Sequence, residues 1–149
     1  MRKRYMTKFG LNEGNCLDAC VASILECDIE DLPGLSDLGK FWFWKTIEIL
    51  SLRGYGCIYV PKEILSSVIV SDCICIALFS TDSPERHAKV GRWKSYKEED
   101  GNWSYTVEEE FDPHPNPDFD CIDLTGIFLI FPKPEYASNV LPNWKVARS

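Results

Sequence analysis

Gly14-Asn15-Cys16-Leu17-Asp18-Ala19-Cys20-Val21-Ala22-Ser23-Ile24-Leu25 is the stretch from which the rest of the chain is read. It has the pattern of a tight turn opening into a helix over residues 16–26. Asn15 is a favoured N-cap, because its side-chain oxygen accepts from an orphan backbone N–H. Asp18 stands three residues on, where a capping-box acid reaches back. Cys16 then falls at the first helical position, beside free N–H groups and the positive end of the dipole. That placement predicts a thiol pKa pulled below the usual value of about 8.5, and donors poised for an oxyanion. Ala19, Cys20, Ser23 and Cys27 form a small-residue face that lets another element approach closely.

Outward from this helix, the pattern turns to strands. Residues 28–34 are a polar connector ended by Pro33-Gly34. A second helix is expected over residues 38–52, with Phe41, Trp44 and Ile47 on its apolar stripe and Phe43 and Leu50 at its edge. Phe41-Trp42-Phe43-Trp44 reads as core rather than as an aromatic box for a ligand. Short strands follow at residues 57–60, 87–93, 104–111 and 122–131. The run at residues 73–79 is continuously apolar, as in a central strand buried on both faces. Helices first and an antiparallel sheet afterwards make an α+β fold. A Pro-rich tail begins at Pro132. With 149 residues, 45% of them hydrophobic, and no repeats, residues 1–149 read as one domain.

Composition narrows the function classes. A net charge of −7 argues against a nucleic-acid surface, which needs clustered Lys and Arg. Arg2-Lys3-Arg4 precedes no apolar run, so no secretory signal is read, and no span of about 18 apolar residues predicts a membrane helix. Seven irregularly spaced cysteines are expected to be reduced thiols of a cytoplasmic protein. Cys73-Ile74-Cys75 and the Cys16, Cys20, Cys27 stripe read as packing rather than as a metal site, and no cofactor is called for.

A cysteine nucleophile needs a base, and the base needs an orienting partner. There are only two histidines, His87 and His114. Asp100-Gly101 is a strong hairpin signal, and folding about it pairs residues whose numbers sum to about 201. His87 then stands opposite His114 and diagonal to Asp112, within side-chain reach. Asp112, before Pro113, is held extended.

Gly-Asn-Cys-x-x-Ala-Cys-x-Ala-Ser opening a helix, then His-Ala-x-Val-Gly, then Asp-Pro-His-Pro, resembles small papain-like cysteine peptidases. It is similar to uncharacterised bacterial and phage members and to bacteriocin-processing peptidase domains. The resemblance implies a papain-like fold with N-terminal helices packed on the sheet. It makes Cys16 the nucleophile, His87 the general base and then acid, and Asp112 the residue orienting the imidazole, with His114 as a secondary candidate. The implied activity is hydrolysis of a peptide, isopeptide or related amide bond in a protein or peptide substrate. Acyl transfer and deamidation use the same triad. One departure stands out: papain-like enzymes carry a Gln upstream of the cysteine, and here Met6-Thr7 occupies the place of Gln-Thr. Asn12 is the nearest amide that would serve the oxyanion instead. The missing Gln keeps a binding-only rival open, a degenerate scaffold capturing a host protein.

Overall fold

The computed structural model describes residues 1–9, 14–70, 72–82, 86–116 and 121–132, with the backbone alone for residues 36, 37, 39 and 132. The turns read at Phe9-Gly10 and Glu13-Gly14, the tail beyond Pro132, and Asn12 fall wholly or partly outside these residues. The fold is α+β. Helix α1 (Cys16–Leu25) is followed by a 3-10 turn at Ile29–Asp31, a longer one at Leu35–Phe41, and helix α2 (Trp42–Leu52). Five strands follow: β1 (Tyr55–Pro61), β2 (Cys73–Ser80), β3 (Arg86–Lys97), β4 (Trp103–Phe111) and β5 (Leu124–Pro132), with a 3-10 segment at Lys62–Ser67 between β1 and β2. They form one sheet in the order β1-β5-β2-β3-β4, every neighbouring pair antiparallel.

The sheet separates two apolar clusters. Alternation along β2 sends Ile76 into the cluster beneath the helices and Cys75 and Ala77 into the one on the other side. The first contains Val21 and Ile24 of α1, Leu50 of α2, and Val90, Phe111, Phe128 and Ile130 of the sheet. The second is capped by Leu65 and holds Trp93, Ile127 and Leu129. β2, third of five, is the buried central strand that its apolar run predicts.

Helix α1 is buried from Leu17 to Ile24, because its small residues admit a neighbour on the side away from the sheet. That neighbour is the N-terminal arm. The Arg4 N–H donates to Ser23 Oγ at 2.8 Å, and Arg4 Nη2 pairs with Asp28 at 2.6 Å. The arm also reaches the end of β4, where the Met6 N–H donates to the Pro113 carbonyl at 3.0 Å.

Helix α2 departs from expectation. Its residues 38–41 are 3-10 rather than α, consistent with Gly39, a poor helix former. Trp42, Phe43, Thr46, Leu50 and, as expected, Ile47 turn inward, whereas Phe41 and Trp44 are exposed. The aromatic run is half core and half surface, because one helical turn cannot direct four successive side chains inward. Trp42 and Phe43 pack against Phe128 with ring centroids 5.9 and 5.8 Å away. Among the described residues no helix is long and apolar enough to cross a membrane.

Candidate functional site

Three segments converge where α1 begins, β3 begins and β4 ends. Asn15 occupies the N-cap position of α1, yet its side chain makes no capping hydrogen bond. Its Oδ1 accepts instead from the Thr7 and Lys8 N–H groups at 2.9 and 3.0 Å, and its Nδ2 donates to Thr7 Oγ1 at 2.9 Å. Asp18 does not reach back either. It is buried, and its Oδ1 accepts from the Leu35 N–H at 3.0 Å, tying α1 to the next turn. Both capping expectations are therefore corrected: the tertiary partners outcompete the local ones.

The backbone N–H groups of Ala88 on β3 and of Leu17 and Cys16 at the helix start lie near enough to the Cys16 sulfur to favour its thiolate. The thiol donates to the Arg86 carbonyl at 3.9 Å. Cys16 is thus seated on the backbone at either side of His87, along the edge of β3 that β4 has already left. The expected low thiol pKa is not what this seat produces. Burial pushes the Cys16 thiol up from 9.0 to about 11, and the three N–H groups offset only part of that, with the Asp18 charge adding to it. Cys16 is half-buried, and the loss of water where its sulfur lies against the sheet outweighs the dipole.

His87 is 2% exposed, and its Nε2 lies 2.6 Å from Asp112 Oδ1. The diagonal predicted from the hairpin is what the structure shows. The turn closes through the Gly101 N–H to the Glu98 carbonyl at 3.0 Å, with Gly101 at φ +87°. From Lys97↔Trp103 to Gly91↔Glu109 the pairing is regular; then Val90 pairs Phe111, so Glu110 is an extra residue on β4. Carried one step further, this register sets Asp112 opposite Lys89. Without Glu110 it would stand opposite Ala88, directed at the other face. Gly91 makes the bulge possible: a Cβ there would lie 2.8 Å from the Glu108 carbonyl oxygen.

Asp112 is held by three donors. His87 and the His114 N–H, at 2.8 Å, share Oδ1, while Lys89 Nζ lies 3.3 Å from Oδ2. Burial pushes this carboxyl up, but the His87 and His114 hydrogen bonds and the His87 and Lys89 charges prevail, leaving its pKa below 3.8. It is a carboxylate at neutral pH, so Nε2 of a neutral His87 carries the proton and donates.

His114 is close by but turned differently. Its ring centroid lies 6.0 Å from that of His87, edge-on, and 5.4 Å from that of Phe9. Its Nδ1 accepts from the Asn116 N–H at 3.0 Å. Met6, in the place of the expected Gln, is buried. All seven cysteines are free thiols. Among the described residues no group of three or more His, Cys, Asp or Glu side chains is arranged to hold a metal ion.

Sequence reasoning brought Cys16, His87 and Asp112 to one place but missed Lys89. The signal was present: the hairpin arithmetic that sets His87 against His114 also sets Lys89 against Asp112. No protein-family model, no curated protein and no solved structure matches the chain.

Proposed function

We propose that the chain is a papain-like thiol hydrolase acting on a peptide, isopeptide or related amide bond, with Cys16, His87 and Asp112 as its triad. The observation that carries this reading is the 2.6 Å His87–Asp112 hydrogen bond, next to a sulfur seated on the backbone of residues 86 and 88. Because Nε2 is committed to Asp112, proton exchange with the sulfur falls to Nδ1. A thiol pKa near 11 means that Cys16 rests protonated. His87 therefore works as a general base during attack, not as the imidazolium half of a standing ion pair. The sulfur attacks the carbonyl carbon while Nδ1 takes the thiol proton. Collapse expels the amine, which leaves with that proton; His87 then deprotonates a water that attacks the thioester, the C–S bond breaks to release the carboxylic acid, and the proton returns from His87 to the Cys16 sulfur. Among the described residues, the Cys16 and Leu17 N–H groups are donors available to the oxyanion.

Iodoacetamide labelling followed by peptide mapping tests the assignment. Labelling at Cys16 is expected at neutral pH, faster than at Cys27 or Cys121, and slowed about tenfold or more in His87→Gln. Labelling of Cys16 that ignores His87 would overturn it.

The second reading is a binding protein on the same scaffold. The buried Met6 in place of Gln and the raised thiol pKa favour it. Partner capture that survives Cys16→Ser, with no cleavage of a peptide library, is its signature.

A further inference from the structure

We propose that Lys89 is a positioning residue of this site, gripping Asp112 Oδ2 from β3 and so fixing the carboxylate that orients His87. The inference rests on the triad reading above. Lys89 sits two residues after His87 on the same strand and, through the Glu110 bulge, opposite Asp112. Its Nζ lies 3.3 Å from Asp112 Oδ2 and 2.7 Å from Glu109 Oε1, with the Phe79 ring beneath it at 5.6 Å to the centroid. Asp112 therefore has a donor on each oxygen, which fixes the carboxylate plane as well as its position.

The burial of this pair sets it apart. Lys89 and Asp112 side chains are 18% and 20% exposed, whereas those of Lys94 and Glu108 are 40% and 59% exposed. An ion pair at the surface contributes little, but a sheltered cation acts on its neighbours with less screening. Placed here, the ammonium opposes a positive charge on His87 and keeps Asp112 a weak base.

The other charges around the dyad come from several elements. Glu109 of β4 shares Lys89, and the Cys121 thiol ahead of β5 also acts on it. His114 follows Asp112, while Cys16 and the buried Asp18 face the site from α1. Of these, only Lys89 places a permanent positive charge against Asp112.

Nuclear magnetic resonance titration of the two imidazoles in the full-length chain tests the proposal without a substrate. In Lys89→Met the His87 midpoint is expected to rise by about one pH unit, while His114 moves less. Lys89→Arg is expected to restore most of the original value. Glu109→Gln, at an exposed position, is expected to move the His87 midpoint the other way, since a negative charge is lost and Lys89 is left to Asp112 alone. An unmoved His87 midpoint in the folded Lys89→Met variant overturns the proposal, as does an unmoved or raised one in Glu109→Gln. Failure of the hydrolase reading shows separately, as Cys16 labelling that is indifferent to His87 while these midpoints still shift.

Discussion

The two ends of the β3–β4 hairpin are built from the same kinds of residue and behave as different materials. Toward the turn, Trp93 stacks on Tyr105 at 4.4 Å and 16°, and Ser95 is hydrogen-bonded to the Val68 and Val70 backbone. On the opposite face, Arg92–Glu110 and Lys94–Glu108 form a solvent-facing ladder of ion pairs. Beyond the bulge, the strands part, and His87, Lys89 and Asp112 make one sheltered network. Regular pairing stiffens the distal end. At the proximal end, the departure of β4 opens an edge of β3 where a thiol can sit. What separates a structural ion pair from a candidate catalytic one here is a single extra residue.

Three substitutions probe that contrast. The largest effect is expected from Trp93→Ala, which empties the centre of the distal cluster and should cost about 3–5 kcal/mol in urea denaturation. If the ends are separable, the His87 midpoint in the still-folded fraction should barely move. Gly91→Ala comes next. Its Cβ meets a backbone carbonyl that cannot turn aside, so a loss of about 1–3 kcal/mol is expected, with the proximal end disturbed most. A Gly91→Ala protein with an unchanged His87 midpoint would show that the bulge does not set the site's geometry. The smallest effect belongs to Lys94→Met, below about 1 kcal/mol, with neither histidine shifted. A shift there as large as that of Lys89→Met would erase the distinction between the two ends.

Much of this architecture was legible in the residues. Hydrophobic period and turn chemistry located both helices and all five strands, because these signals are local. Asp100-Gly101 fixed the hairpin closely enough to bring His87 to Asp112. What escaped were the outcomes of competition between local and distant partners. Asn15 and Asp18 look like caps, but the arm and the Leu35 turn claim them, and no local pattern announces that. The pKa of Cys16 failed for a similar reason: the dipole is written in the helix start, whereas the burial that outweighs it comes from a strand some seventy residues away. Trp44 was misplaced because aromatic content says that a helix packs, not which of four adjacent rings turns inward.

The strand order carries a consequence for how the chain is made. Among the described residues β5 is the last strand to be synthesised, yet it lies between β1 and β2. Until residues 124–132 leave the ribosome, those two earlier strands have no partner on the sides they will share with it. Cys16, His87 and Asp112, the three residues of the proposed triad, are all translated before the strand that unites their scaffold, so a nascent chain carries them well ahead of the frame that aligns them. Such a chain also exposes two unpaired apolar edges, which makes slow release or truncation near the C-terminal end a route to aggregation.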